Sequence, residues 1–248
     1  MAIETWFPLA IYYEDLEGAA EHNLGMLETI LELEESGYER RAYDDMAWTG
    51  DLHGVQQVHL DERFAWIVSQ VEQHTVEYLT ALGVDLSQVA LHIQRAWPIV
   101  SRQEQAVGDH MHNTAHLSAV YYVQVPDVNM GDPGSLVFLD DARVNEVCPG
   151  LGSENTNVVD EANFYNQLQA SYVPVEGRLM LFPAKQRHGV TPNETEETRV
   201  SLSFDIVLTA KPGEAAGSHE FLMPPVKQWK SFGAGPALRI SAEDMTRE

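Results

Sequence analysis

The spacing of apolar and polar positions changes character near residue 89. Before that point the spacing is helical. Leu24, Leu27, Ile30, Leu31 and Leu33 recur at three- and four-residue intervals. They predict an amphipathic helix over 14–36, stopped at Gly37. A second helix is predicted over 61–82. Asp61 can cap it, Phe64, Ile67, Val68, Val71, Tyr78 and Leu82 form its buried stripe, and Gly83 ends it. From about Val89 to Thr209 short apolar runs alternate with Gly, Pro, Asn and Asp, as in "LHIQRAWPIV", "HLSAVYYVQV", "GSLVFLDD", "SYVPVEGRLMLFPA" and "TRVSLSFDIVL". That is the pattern of an all-β sandwich or jelly roll. The expected fold is mainly β with N-terminal helices, a single domain over 1–210 with its β core at about 89–209. The remaining 211–248 is rich in Pro and Gly. Its "EFLMPPVKQW" segment reads either as a partly ordered tail or as an extended arm that docks on the domain, covers a pocket or reaches a second copy in a homodimer.

Two of these segments carry polar residues that a core strand does not need. In "RVSLSFDI", Val200, Leu202, Phe204 and Ile206 share one face, while Arg199, Ser201, Ser203 and Asp205 share the other. A half-buried edge strand with its polar face in water gives this pattern. So does a strand whose polar face lines the inside of a barrel. In the second case the inward arginine requires an anion, and a planar guanidinium suits a carboxylate. In "GDHMHNTAHLSAVYYVQVP", His110 and His112 stand two residues apart, which on a strand places both on one face. Such a pair suits a metal chelate, although surface or core histidines without a ligand give the same spacing. A third imidazole is available from His188, just beyond the run "GRLMLFP".

Composition narrows the function. The chain has 248 residues, 15 basic against 38 acidic, and a formal net charge of −23. A nucleic-acid partner and an anionic membrane surface are both disfavoured by that charge, which chiefly serves solvation. The apolar fraction of 44% is sufficient for a real core. Cys148 is the only cysteine, so no intrachain disulfide forms and a reducing compartment is expected. The N-terminal segment lacks the basic and apolar regions of a signal peptide, and no apolar run is long enough to span a bilayer. The expectation is a cytoplasmic protein.

The ordered set of motifs resembles the iron(II)/2-oxoglutarate-dependent oxygenases, most closely their bacterial and phage group. The set comprises His-x-His, the "SAVYYV" strand, Gly-x5-Pro, His, then Arg with Ser two residues on. The likeness runs from about Trp6 to Leu208, through "WFPLAIYYEDL", "WTGDLHG", "RAWPIV", "HMHNTAHLSAVYYVQVP" and "VPVEGRLMLFPAKQRHGVTPNETEETRVSLSFDI". It implies a double-stranded β-helix, or jelly roll, with Fe(II) at its open end and 2-oxoglutarate and O2 as co-substrates. It implies His112 and His188 as metal ligands with His110 as the other member of the pair. Arg199 and Ser201 match the positions that hold the distal carboxylate of 2-oxoglutarate, and Tyr122 is assigned to the same carboxylate.

One departure stands out. Non-haem iron sites of this kind usually pair two histidines with one carboxylate, whereas His110 stands where the carboxylate is expected. Three histidines form the site, or a carboxylate arrives from elsewhere. Asp109, Asp140 and Asp141 are the candidates considered. Around the site, Trp97 reads as a pocket wall or a core residue. Arg143 reads as a contact for an anionic substrate group or as a surface residue. The substrate expected is a small molecule, an amino acid or a peptide side chain. A cupin-type metalloenzyme that does not use 2-oxoglutarate also fits Gly-x5-Pro-x4-His, but has no use for an inward Arg199. A non-catalytic jelly-roll binding protein is the third reading.

Overall fold

The computed structural model describes residues 2–36, 44–143, 145–146, 148, 150, 158–161, 163–211 and 222–230. Its strands are β1 (Tyr12–Asp15), β2 (Trp48–Thr49), β3 (Val89–Ser101), β4 (Val107–His110), β5 (Leu117–Gln124), β6 (Leu136–Leu139), β7 (Gln169–Tyr172), β8 (Arg178–Pro183), β9 (His188–Val190) and β10 (Arg199–Ala210). Its helices are α1 (Ala19–Ser36) and α2 (Ala65–Ala81). The strands form a six-stranded sheet in the order β1-β8-β5-β10-β3-β2 and a four-stranded sheet in the order β4-β9-β6-β7. Their pairings are antiparallel. Of the two folds the alternating apolar runs allow, this is the jelly roll, the double-stranded β-helix that the resemblance implies.

The helices cover one face of the large sheet. Met26 and Ile30 of α1 and Ile67, Val71, Tyr78 and Leu79 of α2 join Leu202, Phe204, Ala119, Tyr121, Leu179 and Leu181 in one buried cluster. Each such fully buried aliphatic or aromatic side chain contributes roughly 1.5–3 kcal/mol relative to exposure. Asp61 caps the turn leading into α2 by accepting from the Arg63 backbone N–H at 3.0 Å. Gly83 takes the left-handed φ of +79° that ends the helix.

The first helix is shorter than its sequence pattern predicts. Residues 12–15 form β1, an edge strand paired with β8 from Tyr12↔Leu181 to Asp15↔Arg178. Arg178 holds Asp15 through two hydrogen bonds of 2.6 and 2.8 Å. The second helix begins as a 3-10 turn over Glu62–Phe64 and becomes α-helical at Ala65. Leu24 and Leu82 are exposed, so the buried stripes are narrower than predicted. The expected stop at Gly37 lies outside the described residues.

The other face of the large sheet is turned toward the small sheet. Val120, Tyr122, Met180 and Phe182 pack there against Leu136 and Phe138 of β6. β10 lies between β3 and β5 and is not an edge. Its polar face is therefore buried as thoroughly as its apolar one: Arg199 is 1% exposed, Ser201 0%, Ser203 6% and Asp205 0%. The barrel-lining reading of "RVSLSFDI" holds and the edge-strand reading does not. In the tail, Met223 bridges Thr209 in parallel, and the Ala210 N–H donates to the Met223 carbonyl at 2.8 Å. That part of "EFLMPPVKQW" extends the sheet as a short arm.

Candidate metal centre

β4 and β9 set the position of the histidines. His110, the last residue of β4, pairs directly with His188, the first of β9. His188 thus opens a strand, whereas its sequence position suggested a rim just past one. His112 lies beyond the end of β4, held by its backbone N–H donating to the Ala184 carbonyl at 2.9 Å. The two rings of His-x-His do not share a strand face as the spacing predicts, yet they converge all the same. One ring nitrogen from each of His110, His112 and His188 lies within 4.8 Å of the others. Gly189 lies close beside them: a Cβ there would displace the Asp109 carboxylate and stand 3.2 Å from the Val107 carbonyl.

The outward nitrogens fix the tautomers. His110 Nδ1 lies 2.8 Å from the Gly108 carbonyl and His188 Nδ1 lies 2.7 Å from the Gln186 carbonyl. His112 Nδ1 lies 2.5 Å from Asp205 Oδ1 and 3.0 Å from Ser118 Oγ. Carbonyls and a carboxylate only accept, so each Nδ1 carries the proton and donates it. Each Nε2 then presents a lone pair, and those of His110 and His112 face one another at 3.1 Å. Two lone pairs at that separation repel unless a cation lies between them. Neighbouring nitrogens bound at about 2.1 Å to one divalent ion stand about 3 Å apart at a right angle. Burial favours the neutral imidazoles that such an ion requires. It pushes His188 down to about 4 and also lowers His110.

A second polar group lies on the same inward face. Arg199 is fully buried, its guanidinium carbon 5.3 Å from the centre of the Tyr122 ring. Among the described residues its Nε and Nη1 have no hydrogen-bond partner, and neither has Ser201 Oγ. Burial pulls Arg199 below its usual range, against the attraction of Tyr122 and Asp132. Asp132 itself is taken by the Ser135 hydroxyl, the Thr191 hydroxyl and the Gly134 N–H. Two orphaned donors of a buried cation, with an orphaned hydroxyl two residues on, make a cradle for an anion with acceptor oxygens. Tyr122 shares one apolar cluster with Met180, Phe138 and Phe182, and the Phe182 ring lies 4.8 Å from that of His188.

The carboxylates proposed from sequence do not reach the imidazoles' inner face. Asp109 and Asp141 both pair with Arg187, at 3.3 and 3.1 Å. Asp140 accepts from the backbone N–H groups of Ala142 and Arg143. The carboxylate that does touch the cluster is Asp205, on the outer side of His112. Arg95 Nε and Nη2 donate to its Oδ2 at 2.9 and 2.5 Å. The inward phase of β10 was the signal for Asp205, since it is the same phase that marked Arg199. Trp97 both walls the centre and belongs to a small core: its ring lies 5.6 Å from that of His112, and it packs with Ala47 and Ile99. Arg143 makes local contacts, facing Glu146 at 3.6 Å.

Two antiparallel sheets closing over a trio of imidazoles define the class of double-stranded β-helix proteins with a metal-binding constellation. Within it, residues 95–205 match the family model described as "Putative 2OG-Fe(II) oxygenase". That match covers a little under half of the chain and makes the stretch similar to the 2OG-Fe(II) oxygenases. No curated protein matches it in sequence. Among solved structures it is similar to the non-haem α-ketoglutarate-dependent carbocyclase SnoK from nogalamycin biosynthesis, with 13% identity over 87% of each chain and a TM-score of 0.55. It is similar to the epimerase SnoN from the same biosynthesis, with 12% identity over 84% of this chain and 83% of that one and a TM-score of 0.54. A Pseudomonas putida prolyl-4-hydroxylase shares 15% identity over 79% of this chain and 92% of its own, with a TM-score of 0.50. At these identities the likeness is one of fold.

Proposed function

We propose that the protein is an Fe(II)- and 2-oxoglutarate-dependent dioxygenase that hydroxylates an unactivated C–H bond of a small-molecule or amino-acid-like substrate. The observation that carries the reading is the buried guanidinium of Arg199, whose Nε and Nη1 have no partner among the described residues, with the orphaned Ser201 hydroxyl beside it on the inward face of β10. A metal-only cupin has no use for that cation, and a binding domain without metal has no use for facing imidazole lone pairs. The residues present fit both groups. His110, His112 and His188 would hold the iron through Nε2. Arg199, Ser201 and the Tyr122 hydroxyl would hold the far carboxylate of 2-oxoglutarate.

Bound iron and co-substrate supply an oxidation of C–H by O2, coupled to decarboxylation of 2-oxoglutarate to succinate and CO2. The chain supplies orientation and dryness. Backbone carbonyls and Asp205 hold the three rings by their outer nitrogens, so the inner ones are fixed without further reorganisation. Arg199 gains the partner its burial demands, which selects a dicarboxylate of suitable length over a monocarboxylate. Phe138 and Phe182, packed beside the His188 ring, keep that side of the centre apolar. Substrate contacts are assigned to Trp97, whose ring faces His112, and to Arg143, an exposed cation on the loop after β6.

The test is an anaerobic titration. Metal-free protein given Fe(II) and then 2-oxoglutarate should develop a weak visible charge-transfer band with one equivalent of each. It should release succinate slowly once O2 is admitted. Folded protein that develops no band sinks the reading.

A further inference from the structure

We propose that Asp205 is a positioning residue for the metal centre, returning from behind His112 the negative charge that a three-histidine site lacks. This rests on the functional reading above. Three neutral imidazoles leave a divalent ion with its full charge, whereas two imidazoles and a carboxylate neutralise half of it. Asp205 sits one hydrogen bond farther out, 2.5 Å from His112 Nδ1 and wholly buried. A carboxylate accepting from a ligand's outer N–H sets the tautomer, aims the ring and raises the basicity of the inner nitrogen.

The architecture around Asp205 is built for that task. On β10 it is flanked in register by Arg95 of β3 and Ser118 of β5. Three adjacent strands thus place a cation, a carboxylate and a hydroxyl side by side on the inward face. Arg95 grips the outer carboxylate oxygen with two donors, leaving the inner oxygen to His112. Its guanidinium is braced over the Trp97 ring, 4.9 Å from the centroid. Directly after Asp205 the pairing with β3 slips by one residue, a bulge of the kind that re-aims side chains beside active sites. The other histidines have only backbone carbonyls behind them, so the charge is delivered to His112 alone.

The bland alternative is that Asp205 merely clamps β10 to β3 through Arg95. Two variants of the full-length, metal-free protein separate the readings, with Co(II) alone as the probe. Asp205→Asn keeps the shape and removes the charge. It should weaken Co(II) binding by about 10- to 100-fold. Arg95→Lys loses the two-pronged clamp and leaves the carboxylate on His112. It should weaken Co(II) binding by less than about threefold, since an ammonium still faces the carboxylate. In metal-free protein, ¹⁵N spectra of the imidazoles should show His112 as the Nδ1–H tautomer in the wild type and lose that signal in Asp205→Asn. Equal Co(II) affinity for wild type and Asp205→Asn overturns the proposal, as does equal weakening by both variants. A wild-type His112 found in the Nε2–H form overturns it too, and this reading needs no variant to fold. Wild-type protein that takes up no Co(II) overturns the metal reading itself, and the proposal with it.

Discussion

The two faces of β10 are equally dry and do opposite things. Val200, Leu202, Phe204 and Ile206 face the helices and are no more than 2% exposed. Arg199, Ser201, Ser203 and Asp205 face the small sheet and are no more than 6% exposed. On the helix side burial is its own reward, because the four β10 side chains there are apolar and packed. On the barrel side burial is a cost, because a guanidinium and a hydroxyl are removed from water with atoms left unpaired. A fold that tolerates such a cost on its most central strand is holding those groups ready for something that completes them.

The sharpest way to break the comparison is to remove one large side chain from each face. Phe204→Ala should lower the unfolding free energy by about 3–5 kcal/mol, read from a urea melt. Arg199→Met should leave stability within about 1 kcal/mol of wild type or raise it, because it deletes a buried cation without a hydrogen-bonded anion. The same variant should weaken 2-oxoglutarate binding by about 30-fold or more, the loss expected when one partner of a buried charge pair is truncated. Unchanged 2-oxoglutarate affinity in Arg199→Met would show that the cradle belongs to another ligand.

This contrast was already written in the period-two alternation of "RVSLSFDI", though whether the polar face met water or a cavity was not. That depended on β10 having neighbours on both sides, and β3 and β5 reach it from residues about a hundred positions earlier. The short strands were hidden for a related reason. "YYED" has no apolar alternation, and as an edge strand it needs none, so helical spacing from Leu24 onward was extended back across it. His110, His112 and His188 were legible as residue types in order. Their convergence was predicted for the wrong local reason, because β4 ends before His112. The tie from Asp205 to His112 had no local signal beyond its phase, since it spans 93 residues and arises from strand register alone.

The helix side has its own flaw, and it yields a smaller effect. His59 stands beside Val58 of that core with its Nδ1 buried and unpartnered. Burial lowers its pKa from 6.5. A histidine with a depressed folded pKa binds a proton more readily when unfolded. Below pH ~6.5 the unfolded state therefore gains protons that the folded state refuses, and stability falls as pH falls. His59→Leu should make this acid limb shallower in melts between pH 7 and pH 5, at about wild-type stability near neutrality, leaving the part that His188 and His110 contribute. An acid limb that is just as steep in the variant would assign the pH sensitivity elsewhere.

The finest test of the comparison is a single oxygen. Ser201 Oγ is wholly buried and has no partner. It lies opposite Ile99 on β3 and Tyr122 on β5. Were the barrel side an ordinary core, Ser201→Ala would be a gain, because it removes an unsatisfied hydroxyl with little change of volume. A net hydrogen bond to a bound carboxylate is worth about 0.5–1.5 kcal/mol, more when the acceptor is charged. The variant should therefore melt at or slightly above the wild-type temperature in the ligand-free state, and bind 2-oxoglutarate about 3- to 10-fold more weakly. The two shifts have opposite signs, and only a hydroxyl kept for a ligand produces both. A variant with improved stability and unchanged affinity would reduce Ser201 to a packing residue and leave Arg199 and Tyr122 to hold the carboxylate.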